Sequence, residues 1–388
     1  NGKTAIKGTF SRYILPSTVG TARLLNPFNT SVNTATRPWT DANNDGIPQA
    51  SELGALSNNA FGQVNVATRY DQDAIEGFGK RRNNWEYSAS VTQELWNRIS
   101  IDVAYYRRMQ GNFTTTDNLD VAPTDFDPYC VTSPRDSRLP GGGGQQICGL
   151  YDIVPAKFGV ATNNVVTRVD KLGVKQEEVF DGVDVSFSAR LGGGVFVNGG
   201  VATGRTRFDQ CGAFVDNPAE TFGLTGATFS YCDYTSGLLT QAKLNGSYTL
   251  PWQQIQIAGV LQNLPGQQIL AQWNITQAEA AAGNLGRALS GGANTSRVVP
   301  LIQPGTEFTP RRTQIDLRLS KSFRMNANRK VQLMADIFNL TNSNASVGAT
   351  SNAGEPPASL ITTYGSAWLR PLNVLQARYI KFGAQLTF

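Results

Sequence analysis

The chain has 388 residues, 40% hydrophobic and only 16% charged, and its 39 glycines suit many strands with tight turns better than a charged helical surface. Its net charge of +5 is spread along the chain rather than clustered, which argues against a nucleic-acid partner. No run approaches the ~18 apolar residues of a membrane-spanning helix, but a membrane barrel stays open, because its strands need only ~10 alternating residues.

The chain begins at Asn1 without an initiator methionine or a charged-then-apolar leader, so a processed or truncated product is expected. Lys3 to Tyr13 reads as a strand with Ile6, Gly8 and Phe10 on one face. A polar stretch without period, Pro16 to Asn59, follows. Inside it Asp41, Asn43, Asp45, Gly46, Ile47 and Glu52 fill positions 1, 3, 5, 6, 7 and 12 of a calcium loop. A hard cation wants six to eight oxygens; the glycine permits the bend, Ile47 lends its carbonyl and Glu52 can offer both oxygens. The expectation is a structural calcium ion on a surface loop, with Pro48 opposing an exiting helix. The alternative is an Asx-rich turn with no metal.

Trp85 to Tyr106 reads as a hairpin: Trp85, Tyr87, Ala89 and Val91 alternate with polar residues, Trp96–Arg98 turn, and Ile99, Ile101, Val103 and Tyr105 resume the pattern. Its aromatics suit an interfacial girdle or cross-strand pairs in a soluble sheet. Asn112 to about Asn163 reads as loop, including a flexible Gly141–Gly144 run that lacks the lysine of a phosphate cradle. A second hairpin turns at Gly192–Gly194 between Val179–Leu191 and Val195–Val201. A third starts near Leu238 and turns at Pro251–Gln253; Gln267 to Thr276 is extended and Ala278 to Ala282 is a short helical turn. The fourth runs from Thr313 to Phe323, turns at Met325–Asn328, and returns through Val331 to Ile337. A last loop, Asn342 to Tyr364, leads to the end of the chain.

Cys130 with Cys148, and Cys211 with Cys232, each fall inside one polar segment. Of three possible connectivities, loop proximity favours these two local bridges, and such bridges point to the exterior or periplasm. Four thiolates on zinc would want Cys-x-x-Cys spacing, which is missing.

In the final segment Ile380, Phe382, Ala384, Leu386 and Phe388 alternate with Tyr379, Lys381, Gly383, Gln385 and Thr387. Alone this is an edge strand of a soluble sandwich or the seam of a barrel. Lys381, Gly383, Leu386 and Phe388 resemble the C-terminal signal by which bacterial outer-membrane barrels are recognised by the barrel-assembly machinery. Loop lengths favour the barrel. Short turns alternate with connections of tens of residues that hold every cysteine and the calcium-like loop, as expected of periplasmic turns and extracellular loops.

Arg312 to Phe323, Val331 to Asn342 (VQLMADIFNLTN), Tyr364 to Pro371 and Leu375 to Phe388 together resemble the C-terminal barrel of TonB-dependent receptors, nearest to the Oar-like group. Asn1 to Tyr13 is similar to a mid-barrel strand of that group. The resemblance implies a barrel of about twenty-two strands occluded by an N-terminal plug, with a periplasmic segment that engages TonB. The alternating runs here amount to ten or eleven strands, with no plug or TonB-engaging segment. Half a barrel would expose unpaired backbone to lipid, so the expectation is the C-terminal portion of a longer receptor or association with another chain.

The absence of histidine removes Ser-His-Asp and Cys-His catalysis. Asp184, Asp316 and Asp336 read as lumenal polar residues, with Asp316 beside Arg318 and Asp184 beside Arg190 as ion pairs. Tyr129, Tyr151, Trp273 and Trp368 read as loop packing or girdle residues rather than ligand contacts. Residues 1–388 are thus expected to be one region of an all-β, transmembrane, antiparallel up-and-down β-barrel, or the C-terminal half of one. It would lie in outer-membrane lipid and bind an unknown extracellular ligand for uptake, without enzyme activity. A non-transporting structural or adhesive surface protein and a secreted β-sandwich with a calcium loop are the alternatives.

Overall fold

Alternation of period two along the long segments becomes a single broad antiparallel sheet. The computed structural model describes residues 2–388 apart from 17–18, 27, 29–30, 65–67, 161–162, 220–228, 293–294, 327–328 and 348–359. In chain order the strands are β1 (Thr4–Ile14), β2 (Thr68–Tyr70), β3 (Asn83–Trp96), β4 (Ile99–Gly111), β5 (Thr114–Asn118), β6 (Phe126–Thr132), β7 (Gln146–Ile153), β8 (Asn164–Arg168), β9 (Glu177–Leu191), β10 (Val195–Asp209), β11 (Asp233–Thr235), β12 (Gln241–Thr249), β13 (Ile255–Leu264), β14 (Gln272–Ile275), β15 (Arg297–Pro300), β16 (Arg312–Arg324), β17 (Lys330–Phe338) and β18 (Tyr379–Thr387).

The main sheet has 11 strands in the order β1-β3-β4-β9-β10-β12-β13-β16-β17-β18, with β11 on the flank of β10. Each strand on that path pairs antiparallel with the one before it, an up-and-down meander. Among the described residues no ladder joins β1 to β18, so the sheet is open. β9 and β10 have 15 residues each. At ~3.3 Å per residue they reach ~50 Å, well past a ~30 Å hydrocarbon layer.

Register sorts the side chains. Ile6, Val91, Val103, Val185 and Val201 stand opposite one another across five strands. Tyr248, Ile257, Leu319, Ala335 and Phe382 continue the same face across five more. Among the described residues nothing covers this face: Ile6 is 80% and Phe382 78% exposed, and no second sheet packs on it as a sandwich would require. The other face carries Thr92, Asp102, Ser186, Gly200, Lys243, Gln262 and Gln314 in one row.

Tight turns close one end of the meander, with left-handed backbone at Arg98 (φ 67), Gly193 (φ 76) and Gln254 (φ 52). The fourth turn, at Met325–Asn328, lies partly outside the described residues. Every long connection emerges at the other end. These connections correct the expectation of structureless loops. They contain a three-stranded sheet (β2-β8-β5) and two hairpins (β6-β7 and β14-β15). Gly141 to Gly144 form a defined turn rather than a flexible loop, all with positive φ, and a Cβ on Gly143 would lie 2.0 Å from the Pro134 carbonyl oxygen. The helical turn is Gln277–Ala280, N-capped by Thr276. The largest buried cluster also sits here, around Tyr129, Leu150, Ile275, Leu289, Val299 and Trp368. No helix among the described residues is long and apolar enough to cross a membrane.

Candidate functional site

The polar face is the concave one, since both large clefts open on it. One, of about 540 Å³, is lined by Asp102, Ser186, Asn198, Lys243, Asn245 and Gln262. In its wall the Asn198 side-chain oxygen is buried without a hydrogen-bond partner. The other, of about 510 Å³, has Glu86, Tyr106, Arg108, Phe180, Asp184 and Gln241 around it. Its floor depends on two glycines. A Cβ on Gly182 or Gly204 would lie 2.7 Å from the Phe180 ring, so their missing side chains let that ring lie flat on the sheet. The Arg108 guanidinium stacks above it at 5.9 Å.

Ion pairing on this face differs from the expectation. Arg318 binds Asp336 with both oxygens, Nε to Oδ1 at 2.5 Å and Nη2 to Oδ2 at 3.0 Å. Asp316 instead accepts from Gln314 Nε2 and the Asn339 backbone N–H. Directly opposed residues sit ~5 Å apart, closer than i and i+2 on one strand, so the cross-strand partner wins. Asp184 and Arg190 do not meet: six residues along a strand is about 20 Å, and Arg190 lies over the Phe196 ring at 5.8 Å.

Above the sheet the loop strands form a cap. Asp152 is fully buried and accepts from Arg287 Nη1 at 2.6 Å, the Ser290 N–H at 2.9 Å and Arg297 Nη2 at 3.4 Å. Arg287 also reaches Asp127 at 2.7 Å. Both local disulfides are formed, Cys130–Cys148 across the β6-β7 hairpin and Cys211–Cys232 in a separate connection. They are tied together where the Ser230 hydroxyl donates to the Cys148 carbonyl. Tyr129 and Trp368 are each 2% exposed and Trp273 packs beside them, so these aromatics build the cap. Burial pushes the Tyr129 hydroxyl up to about 12. Arg138 grips Asp136 (Nη2 to Oδ2 2.6 Å), lies 5.2 Å over the Trp368 ring, and holds the Asp136 carboxyl well below the usual carboxylate range. Tyr364 donates its hydroxyl to the same carboxylate at 3.0 Å.

The calcium-like loop is folded on itself. Asp41 accepts from the Gly46 N–H at 3.0 Å, Asn43 from the Asp45 N–H at 3.0 Å, and Asp45 from the Ile47 N–H at 2.8 Å. That last bond lowers the Asp45 pKa. Glu52 returns to accept from the Ala42 N–H at 3.0 Å and Trp39 Nε1 at 3.2 Å, which closes the twelve-residue interval. Among the described residues no cation pairs with Asp41, Asp45 or Glu52. The bonds to backbone N–H groups are ones that an Asx-rich turn makes without a metal, and among the described residues the acidic side chains do not converge as a set of three.

Lys381, Gly383, Leu386 and Phe388 lie on or just past the edge strand β18, with Phe388 89% exposed. Lys381 stands opposite Asp336.

No protein-family model matches the chain, and no curated protein sequence matches it. Among solved structures, the outer membrane transporter YddB from Escherichia coli aligns over 100% of this chain and 39% of its own, at 12% identity and a TM-score of 0.47. A Pseudomonas aeruginosa FadL homologue aligns over 79% of this chain and 66% of its own, at 6% identity and a TM-score of 0.19. The chain thus spans well under half the length of that transporter. At such scores neither likeness bears weight, and the antiparallel all-β architecture stands on the sheet itself.

Proposed function

We propose that the chain is the wall of an outer-membrane β-barrel, the barrel portion of a TonB-dependent receptor that takes up a ligand through its long loops. One observation carries this reading. Ten strands share a continuous apolar face that is left exposed, and a polar concave face lies behind it. In water such a face would cost roughly 25 cal/mol per Å² of apolar surface left uncovered; against lipid tails that cost disappears. Connections sorted by length support an orientation with the short turns in the periplasm and the cap outside. The polar clefts then belong to the ligand path, the calcium-like loop is a metal-stapled part of the exterior, and Lys381 to Phe388 address the chain to the assembly machinery. The folded cap favours a second reading, an adhesive surface protein without active transport.

The test is fractionation of the full-length protein. It should remain in the outer membrane after carbonate washing and migrate differently on gels before and after heating; release into the wash would sink the barrel. Energised cells should accumulate ligand only while the proton gradient stands, and uptake indifferent to an uncoupler would favour adhesion.

A further inference from the structure

At the loop end of the concave face, Glu86, Arg108 and Phe180 stand side by side in one register row. The next row toward the tight turns holds Tyr106, Gly182 and Gly204, and the one after it Asp184 and Gln241. Rows on one face repeat every ~7 Å. The two glycines leave the middle of this patch without side chains, and the Phe180 ring lies across it, so an aromatic face floors the cleft of about 510 Å³ with polar groups around it. Those groups are uncommitted. Among the described residues the side chains of Tyr106, Asp184 and Gln241 make no hydrogen bond or ion pair, and Glu86 accepts only from Asn84 Nδ2, at 2.8 Å. Arg108 forms no ion pair with Glu86 across the strands; its exposed guanidinium rests 5.9 Å from the Phe180 ring centre, close to the ~6 Å limit of a cation–π contact. A contact so long holds it weakly, and it can turn toward a ligand.

We propose that this cleft binds one ring of an uncharged sugar, with the ring's C–H face on Phe180 and its hydroxyls shared among Glu86, Asp184 and Gln241. The proposal rests on the reading of the clefts as part of the ligand path and names the class of ligand. A pyranose with equatorial hydroxyls is apolar on its faces and polar around its rim. The patch is laid out the same way, an apolar disc bordered by carboxylate, amide and phenol groups. An anion would meet two carboxylates against a single guanidinium. An apolar ligand would bury those polar groups unpaired. An extended peptide finds no strand to join, because β4 and β9 are hydrogen-bonded on both sides.

The experiment uses the full-length protein extracted from membranes into a neutral detergent without a sugar headgroup. The probe is methyl β-D-glucopyranoside, whose ring substituents are all equatorial; the acyclic polyol sorbitol is the control and the diamine putrescine the competitor. Binding is read by saturation-transfer NMR from protein to ligand. Transfer should reach the ring C–H protons of the glucoside and not sorbitol. F180A and D184A should each weaken glucoside binding at least about fivefold while keeping the heat-dependent gel shift, and F180Y should keep most of it. Equal transfer to sorbitol, full affinity in either alanine variant, or displacement of the glucoside by millimolar putrescine would each overturn the proposal and leave the barrel standing. A wild-type protein that washes off the membrane would overturn both.

Discussion

At the scale of single residues, the sheet tolerates little change where Phe180 lies across Gly182 and Gly204. Gly182→Ala places a methyl 2.7 Å from the ring, and overpacking of this kind costs about 1–3 kcal/mol. Pairing it with Phe180→Leu should recover most of the loss in denaturant unfolding; simple addition of the two single effects would count against the contact. Asp152→Ala removes the buried acceptor shared by Arg287 and Arg297 and leaves a void, with Asp127 as the remaining carboxylate on Arg287. We expect about 3–5 kcal/mol less cap stability, seen as faster proteolysis between Phe126 and Pro300 with the heat-dependent gel shift of the wall retained. Neither feature is legible in sequence. Gly182 falls within an alternating strand and gives no sign of the ring beside it. Asp316 and Arg318 look like neighbours, while the true partner Asp336 depends on a register fixed only when β16 meets β17.

At the scale of elements, the ten principal strands could be read because they are long, alternate cleanly and are punctuated by tight turns. The cap strands are three to eight residues long and interrupted by proline and cysteine, so β5, β6 and β7 read as loop, while β14 falls within the Gln267–Thr276 segment read as extended. The disulfide pairs were legible from proximity alone; the core beside Cys130–Cys148, drawn from three separate connections, was not. Two predictions belong here. If the Asp41–Glu52 loop holds calcium, a chelator should speed protease cleavage within it, and indifferent cleavage would remove the metal. The Asp136–Arg138–Tyr364 latch should depend on acid. Its carboxyl titrates lower when folded than when unfolded, so its stabilising effect is complete above the unfolded value of about 4 and fades as pH falls through the lowered one. Protease resistance near Tyr364 should therefore hold from neutrality to about pH 4 and drop below it, and Asp136→Asn should lose that dependence.

For the whole molecule, the two faces of one strand make opposite demands. Val185 and Ser186 are adjacent on β9, one on the apolar face and one in the polar cleft. Val185→Arg should cost about 2–4 kcal/mol of membrane folding and reduce the folded yield in vesicles. Ser186→Arg should insert normally, and equal yields would mean that lipid does not touch the valines. The cap sets a different constraint, on time. It joins residues distant in sequence: the Cys130 N–H meets Asn284 across 154 positions, and Arg138 reaches the Trp368 carbonyl across 230. Contacts so remote form slowly. They can close only once the connections after β4, β13 and β17 have all reached the same side. The cap is therefore a record that every hairpin has crossed, and its resistance to protease should appear last, after the wall has acquired its own.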